Sequence, residues 1–294
     1  MSSQPLILCI GEVLWDVQGD ERTPGGAPMN VAIHLARLGH RVAMISRVGS
    51  DREGEELIRF MQDSNVDTSL IQTDPDLPTS KVLISLDADN NATYEIPQPV
   101  AWDRLEMNSA IERSVHAASF MVFGTLASRD EIARATIHGT LRGPAVKMID
   151  VNLRPPYTRQ SVVQDLLRKA DAAKLNDEEL ATIAGWEGIR GNNEKELMEW
   201  LAESYGLSSL VVTRGKEGAV SLHGSGFHNH PGYRVQVADT VGAGDAFLAG
   251  YISSILSGSE PGDSLDFACR TGAFVASRAG GTPAYTLEEL RGIR

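Results

Sequence analysis

Short apolar runs alternate with amphipathic stretches along most of this chain, and that rhythm constrains the fold more than any other feature. Residues 6–11 form an apolar run closed by glycine, the pattern of a strand buried on both faces. Further strands are expected at 41–46, 120–124, 146–151, 172–175 and 210–213. Helices are expected among them at 52–64, 129–141, 162–169 and 194–205. Strands interleaved with helices give an α/β fold with a mainly parallel sheet covered on both faces. Ligands of such sheets sit beyond the carboxyl ends of the strands. Two segments break the rhythm: residues 13–20 and 79–95 read as strands with polar alternation and no helix between. They are either plain surface hairpins or a small separate sheet.

Composition narrows the partners. A net charge of −12 argues against nucleic acid and anionic membranes. Any phosphate site must therefore be arranged locally, by loop amides, a metal and a few Arg or Lys. Cys9 and Cys269 are too few for a disulfide framework, and their apolar neighbours point to buried thiols in a reducing compartment. No apolar run is long enough to span a bilayer, and the N-terminus lacks the charge and apolar pattern of a secretion signal. The expectation is a cytoplasmic protein forming one domain over residues 1–294, with strands inserted at about 13–24 and 79–96.

The run Asp239-Thr240-Val241-Gly242-Ala243-Gly244-Asp245 leads directly into an apolar, small-residue stretch that reads as a buried helix. Two glycines and an alanine strip side chains from the loop. The helix start offers unpaired N–H groups and partial positive charge, a ready anion site. An aspartate there competes with a bound phosphate unless it has a task of its own. Asp245 could accept a proton from a hydroxyl while the amides of residues 241–244 hold phosphoryl oxygens. The alternative is a carboxylate that caps its own helix.

A second motif, Gly25-Gly26-Ala27-Pro28-Met29-Asn30, opens an amphipathic helix stopped at Gly39. With Ala32, Gly39 and Gly49 at matching spacing, it and the 239–252 run resemble both signatures of the ribokinase-like sugar kinases, the phosphofructokinase-B carbohydrate kinase family. The two motifs stand in the family order, and the resemblance covers essentially the whole chain. It implies a three-layer α/β/α sandwich with a small β-sheet lid over the sugar.

The resemblance also implies roles, with Asp245 as the catalytic base and Gly242, Ala243 and Gly244 as the anion loop. Asp16, Gly25, Gly26 and Asn30 would bind the sugar, although Asn30 alone reads equally well as a helix cap. Asp150-Val151-Asn152-Leu153-Arg154 is similar to a motif of fructokinases and 2-keto-3-deoxysugar kinases. Alternation would put Asp150, Asn152 and Arg154 on one side of an extended chain, with Arg154 aimed at phosphate or sugar oxygens. Asn176 and Glu179 match the motif that places Mg²⁺ through water, and they equally make a capping box. Thr213, Gly215 and Gly218 match a turn that holds nucleotide phosphates, and Gly272 lies on a helix that borders adenine in relatives. Asp239 and Val241, with the loop 280–284, match a potassium site of many members.

Other routes are absent from the sequence: there is no P-loop, no Gly-x-Gly-x-x-Gly after the first strand and no His-x-x-x-His helix. The expected function is an ATP- and Mg²⁺-dependent sugar kinase. Fructose is favoured by Gly-Gly-Ala-Pro-x-Asn, by residues 150–154 and by the stretches at 94–96 and 99–103. Alternatives are 2-keto-3-deoxygluconate, tagatose or ribose as acceptor, or a sensor that binds sugar or nucleotide without turnover. Lid strands left exposed could pair two copies as a homodimer.

Overall fold

The computed structural model describes residues 4–86, 92–191, 193–224 and 226–294. Leu6–Ile10 (β1) is followed by two short strands, Leu14–Gln18 (β2) and Glu21–Gly25 (β3). Next come the helix Ala27–Arg37 (α1), the strand Arg41–Gly49 (β4), the helix Arg52–Asp63 (α2) and the strand Ile71–Asp74 (β5). Ser80–Leu86 (β6) and Ala92–Glu95 (β7) form the second interruption, and residues 87–91 of that expected segment lie outside the described residues. Alternation resumes with Ser109–Ala117 (α3), Ala118–Gly124 (β8), Glu131–Thr140 (α4), Val146–Asp150 (β9) and Gln160–Leu167 (α5). It continues through Ala172–Asn176 (β10), Asp177–Trp186 (α6), Glu194–Tyr205 (α7) and Ser209–Thr213 (β11). The hairpin strands Ala219–His223 (β12) and Gly226–His230 (β13) precede Ala243–Leu256 (α8), Pro261–Ala276 (α9) and Leu287–Arg291 (α10).

Among the described residues the large sheet has the order β13-β12-β11-β10-β9-β8-β1-β4-β5. It is parallel from β11 to β5, with β12 and β13 adding an antiparallel edge. Every residue of β1 is buried, and its side chains divide by parity. Leu6, Leu8 and Ile10 pack with α3 to α7, whereas Ile7 and Cys9 pack with α1, α2, α8 and α9. The continuous apolar run thus arises because each face of the strand meets its own layer of helices. Burying one such Leu or Ile contributes about 1.5–3 kcal/mol, so Leu8→Asp would break the layer of α3 to α7 against the sheet. β4 outruns its expected end because Ser46 to Gly49 pair with β5.

The second sheet has the order β3-β2-β6-β7, so the two interruptions come together as one four-stranded layer. β2 and β6 run parallel there, and β3 and β7 flank them antiparallel. Cys9 and Cys269 are free and buried. Among the described residues no helix is long and apolar enough to cross a membrane.

Candidate active site

The parallel strands deliver the loops that matter to one end of the large sheet, beyond the carboxyl ends of its strands. Glu12 follows β1, Asp150 ends β9, Asn176 ends β10 and Thr213 ends β11. The start of α8 joins them there. Gly242 adopts φ 73°, and a β-carbon on it would lie 2.4 Å from the Gly281 carbonyl oxygen. Only glycine fits that left-handed, crowded position. No side chain caps α8, so Asp245 does not serve as the helix cap. The first bond into the helix runs from the Ala246 amide to the Gly242 carbonyl at 2.9 Å. Among the described residues the Gly244 and Asp245 amides have no backbone acceptor in the loop, and they point from a helix start. The expected set of amides is corrected at two positions. Val241 donates to Asp239 Oδ1 at 3.0 Å and Ala243 to the Thr240 carbonyl at 3.3 Å, so both are engaged within the loop.

Asp245 is held by Asn30, whose Nδ2 donates to its Oδ2 at 2.8 Å. Asn30 lies inside α1, four residues beyond the Gly26 N-cap, so it is not a cap. Burial pushes the Asp245 carboxyl up to about 6, and the Asp150 charge adds to the rise. The Asn30 hydrogen bond, Lys174 and Arg154 oppose it. A base poised near the working pH is suited to take a hydroxyl proton. Asp150 and Lys174 are both buried and bond at 2.8 Å between Oδ1 and Nζ. Burial would lower the Lys174 ammonium, but Asp150, Glu179 and Asp245 outweigh it and hold it above its ordinary value.

Glu12 faces the same group from below. It is buried, its Oε2 has no hydrogen-bond partner among the described residues, and burial pushes its carboxyl up to about 7. Glu12, Asp150 and Asn152 line a cavity of about 10 Å³, room for one water centre.

On the lid side Asp16 lies on β2, opposite Thr23 of β3 and Val82 of β6. A β-carbon on Gly25 would fall 2.2 Å from Asp16 Oδ2, so the glycine is what lets that carboxylate lie across β3. Gly26 has φ 111°, and a β-carbon there would meet the Glu12 carbonyl oxygen at 2.5 Å. Burial pushes the Asp16 carboxyl up to about 6, with the Arg154 charge opposing. The charge of the same exposed arginine also acts on Glu12 and Asp245.

The extended chain expected through Asp150, Asn152 and Arg154 is corrected. β9 ends at Asp150, and Asn152 turns with φ 39°, a left-handed conformation that asparagine tolerates. The turn brings the Leu153 amide onto Glu179 Oε1 at 2.7 Å. Glu179 Oε2 accepts the Asn176 amide at 2.9 Å, and Asn176 Oδ1 accepts the Glu179 amide at 2.7 Å. The capping box is therefore real, and it also staples the β9 turn.

Two glycines assigned to nucleotide binding also have packing roles. Gly218, with φ 82°, lies against His230 and Gly232, where a β-carbon would be 2.1 Å from the His230 carbonyl oxygen. Gly272 is buried against the Ala243 carbonyl and Phe247, which lets α8 and α9 approach. Thr213 and the exposed Gly215 stand at the open end of β11, as expected. Asp239 ties two loops together, because its Oδ2 accepts the Gly280 amide at 3.1 Å.

Sequence reasoning missed Glu12 and Lys174. Lys174 had a legible signal, a lone lysine inside the apolar run of β10. Glu12 had a weaker one, a carboxylate directly after the glycine that ends the first strand run. His34 was also missed. It is buried, with Nε2 at 3.0 Å from the Gly281 carbonyl and Nδ1 at 2.9 Å from Tyr285 Oη, fixing the loop that walls Gly242.

A carboxylate beside side-chain-free amides at a helix start, beyond the ends of a parallel sheet and under a small second sheet, is an arrangement suited to an α/β enzyme that activates a hydroxyl beside a phosphate. The chain belongs to the pfkB family of carbohydrate kinases, whose pattern matches residues 5–287. It is 30% identical over 271 residues to a putative sugar kinase of Pyrococcus horikoshii, covering 85% of this chain and 83% of the other. It is 29% identical over 267 residues to a fructokinase of Rhizobium leguminosarum bv. trifolii, covering 85% and 79%. The fold superposes on a fructokinase of Xylella fastidiosa solved with bound ATP, with TM-score 0.87, 25% identity, and 98% and 97% of the two chains covered.

Proposed function

We propose that this chain is a fructokinase, transferring the γ-phosphoryl group of ATP to a primary hydroxyl of fructose. The observation that carries the reading is the Asn30–Asp245 bond beside the unclaimed Gly244 and Asp245 amides. Asp245 takes the hydroxyl proton as that oxygen bonds to the γ-phosphorus. The bond to the bridging oxygen breaks, and its electron pair leaves with ADP. The loop amides hold the phosphoryl oxygens, and Arg154 supplies charge between donor and acceptor. Asp16, Asn30 and the Gly25-Gly26 pair bind the sugar, and Thr213 with Gly215 receives the nucleotide phosphates. The residues act as one kinase domain, with the β3-β2-β6-β7 sheet as a lid that excludes water.

Mg²⁺ fits this set in hydrated form. Each Glu179 oxygen accepts one backbone amide and keeps a second lone pair, which suits contact through water and not direct ligation. Asn176 would share that role, and the ion would neutralise charge on the nucleotide phosphates. Potassium is supported by the side-by-side placement of the 239–242 and 280–281 loops, where carbonyls of Asp239 and Val241 could face an ion. The Asp239 carboxylate is already committed to amides.

The exposed lid residues Leu83 and Tyr94 favour pairing of two copies through lid strands. The reading includes a cytoplasmic setting, where ATP and reduced thiols occur together. A panel of fructose, tagatose, ribose, 2-keto-3-deoxygluconate and adenosine, assayed by acceptor-dependent ADP release, tests the assignment. Fructose should give the highest kcat/KM. Preference for another acceptor would reassign the substrate, and sugar binding without ADP release would favour a sensor.

A further inference from the structure

Lys174 stands in the middle of a buried strand, directly opposite Asp150 in the β9–β10 register. It is 7% exposed and Asp150 is 3% exposed, so the pair has left water almost completely. Its ammonium lies under the anion loop. A β-carbon built on Gly244 would be 3.5 Å from Nζ and 3.8 Å from Cε. The pair is also incomplete, because Asp150 Oδ2 has no hydrogen-bond partner among the described residues. An ion pair with an unsatisfied oxygen is a poor source of stability, since apolar residues of similar volume often do as well or better. Its place beneath Gly244 and beside Asp245 suggests a different task.

We propose that Lys174, fixed by Asp150, is a positioning residue for phosphoryl transfer, whose charge acts on Asp245 and the anion loop from beneath. The inference rests on the assignment of Asp245 as the base. Groups of several elements act on that carboxylate. Glu12 after β1 and Asp150 at the end of β9 are acidic, whereas Arg154 beyond β9 and Lys174 of β10 are basic. Asn30 of α1 donates a hydrogen bond to it. Arg154 is exposed and free to follow a ligand, so Lys174 is the fixed cation of the set. It keeps Asp245 anionic before the proton arrives. It also favours the negative charge gathering at the Gly244 amide during transfer.

The test compares pH profiles of kcat/KM for the sugar in the wild type, Asp150→Asn and the double variant Asp150→Asn/Lys174→Met. Position 150 is uncharged in both variants, so over the pH range in which Lys174 stays protonated their difference isolates the lysine charge. The low-pH limb should move down in Asp150→Asn and then rise by about one pH unit when the lysine is also removed. Identical limbs in the two folded variants would overturn the proposal. If the double variant does not fold, Lys174→Arg decides. The limb should stay in place while the charge is kept, and a move of a full unit would overturn the proposal. Failure of the base assignment looks different, because Asp245→Asn would then keep the wild-type turnover and low-pH limb.

Discussion

Around Gly242 the backbone is enclosed by the Gly281 carbonyl, by Asn30 from α1 and by the buried Lys174, whereas the lid joins the body through a few buried side chains, Leu14, Trp15 and Val82, and through ion pairs at the surface. β2, β3 and β6 reach α2 through the ion pairs Lys81–Glu53 and Arg22–Glu56 and through the Trp15 indole, which donates to the Glu53 carbonyl at 3.1 Å. Exposed pairs of this kind each contribute about 0–1 kcal/mol. The contrast separates two demands on a kinase. Charge that stabilises transfer must be fixed before substrate arrives. The surface that closes over the sugar must move at small cost.

The comparison breaks first at Gly242. Gly242→Val forces a branched side chain into φ 73° and onto the Gly281 carbonyl, at 2.4 Å for the β-carbon alone. Backbone strain of about 1–3 kcal/mol and a displaced loop should follow, with turnover reduced by roughly 10² or more. Turnover near wild type would show that the enclosed half tolerates rearrangement. Asp16→Ala probes the other half. Loss of one charge-assisted partner of the sugar costs about 2–3 kcal/mol, so KM for the sugar should rise roughly 30- to 150-fold and KM for ATP little. Equal changes in both would mean that Asp16 does not belong to the sugar side.

Glu179→Gln sharpens the comparison by asking whether a residue of the enclosed half is structural. Both carboxylate oxygens accept backbone amides, and glutamine would turn one of them into a donor facing a donor. Stability in urea should fall by about 1–3 kcal/mol. A variant as stable as the wild type, with a raised Mg²⁺ requirement, would give the residue wholly to the metal. The smallest effect belongs to the lid: Lys81→Ala should change stability by less than about 1 kcal/mol. A larger loss by thermal denaturation would make the lid an integral part of the body.

Most of the large sheet was legible because its strands are buried on both faces and its helices on one, which gives each a distinct period. Asp16, Asn30 and Asp245 were legible as motif positions. What neighbours do to those residues was not. Asn152 looks extended in sequence, and only the pull of Glu179 on the Leu153 amide shows why the chain must turn there. Gly218 and Gly272 carry the same letter as the loop glycines, yet the atoms that crowd them come from β13 and α8. Lys174 and Glu12 acquire meaning only when β1, β9 and β10 are placed in one sheet.

Asp245→Asn tests the central claim most directly, with turnover, sugar binding and stability measured on the same protein. Turnover should fall roughly 10²–10⁴-fold while the sugar still binds. The variant should also be more stable than the wild type at pH 8. Folding raises the carboxyl from 3.8 to about 6, so its ionised form costs stability above that range, up to about 3 kcal/mol. That gain should fade as the pH falls from about 6 toward 3.8, and below 3.8 the carboxyl is protonated in both states. A folded Asp245→Asn protein that turns over near the wild-type rate, with no gain in stability at pH 8, would contradict the account.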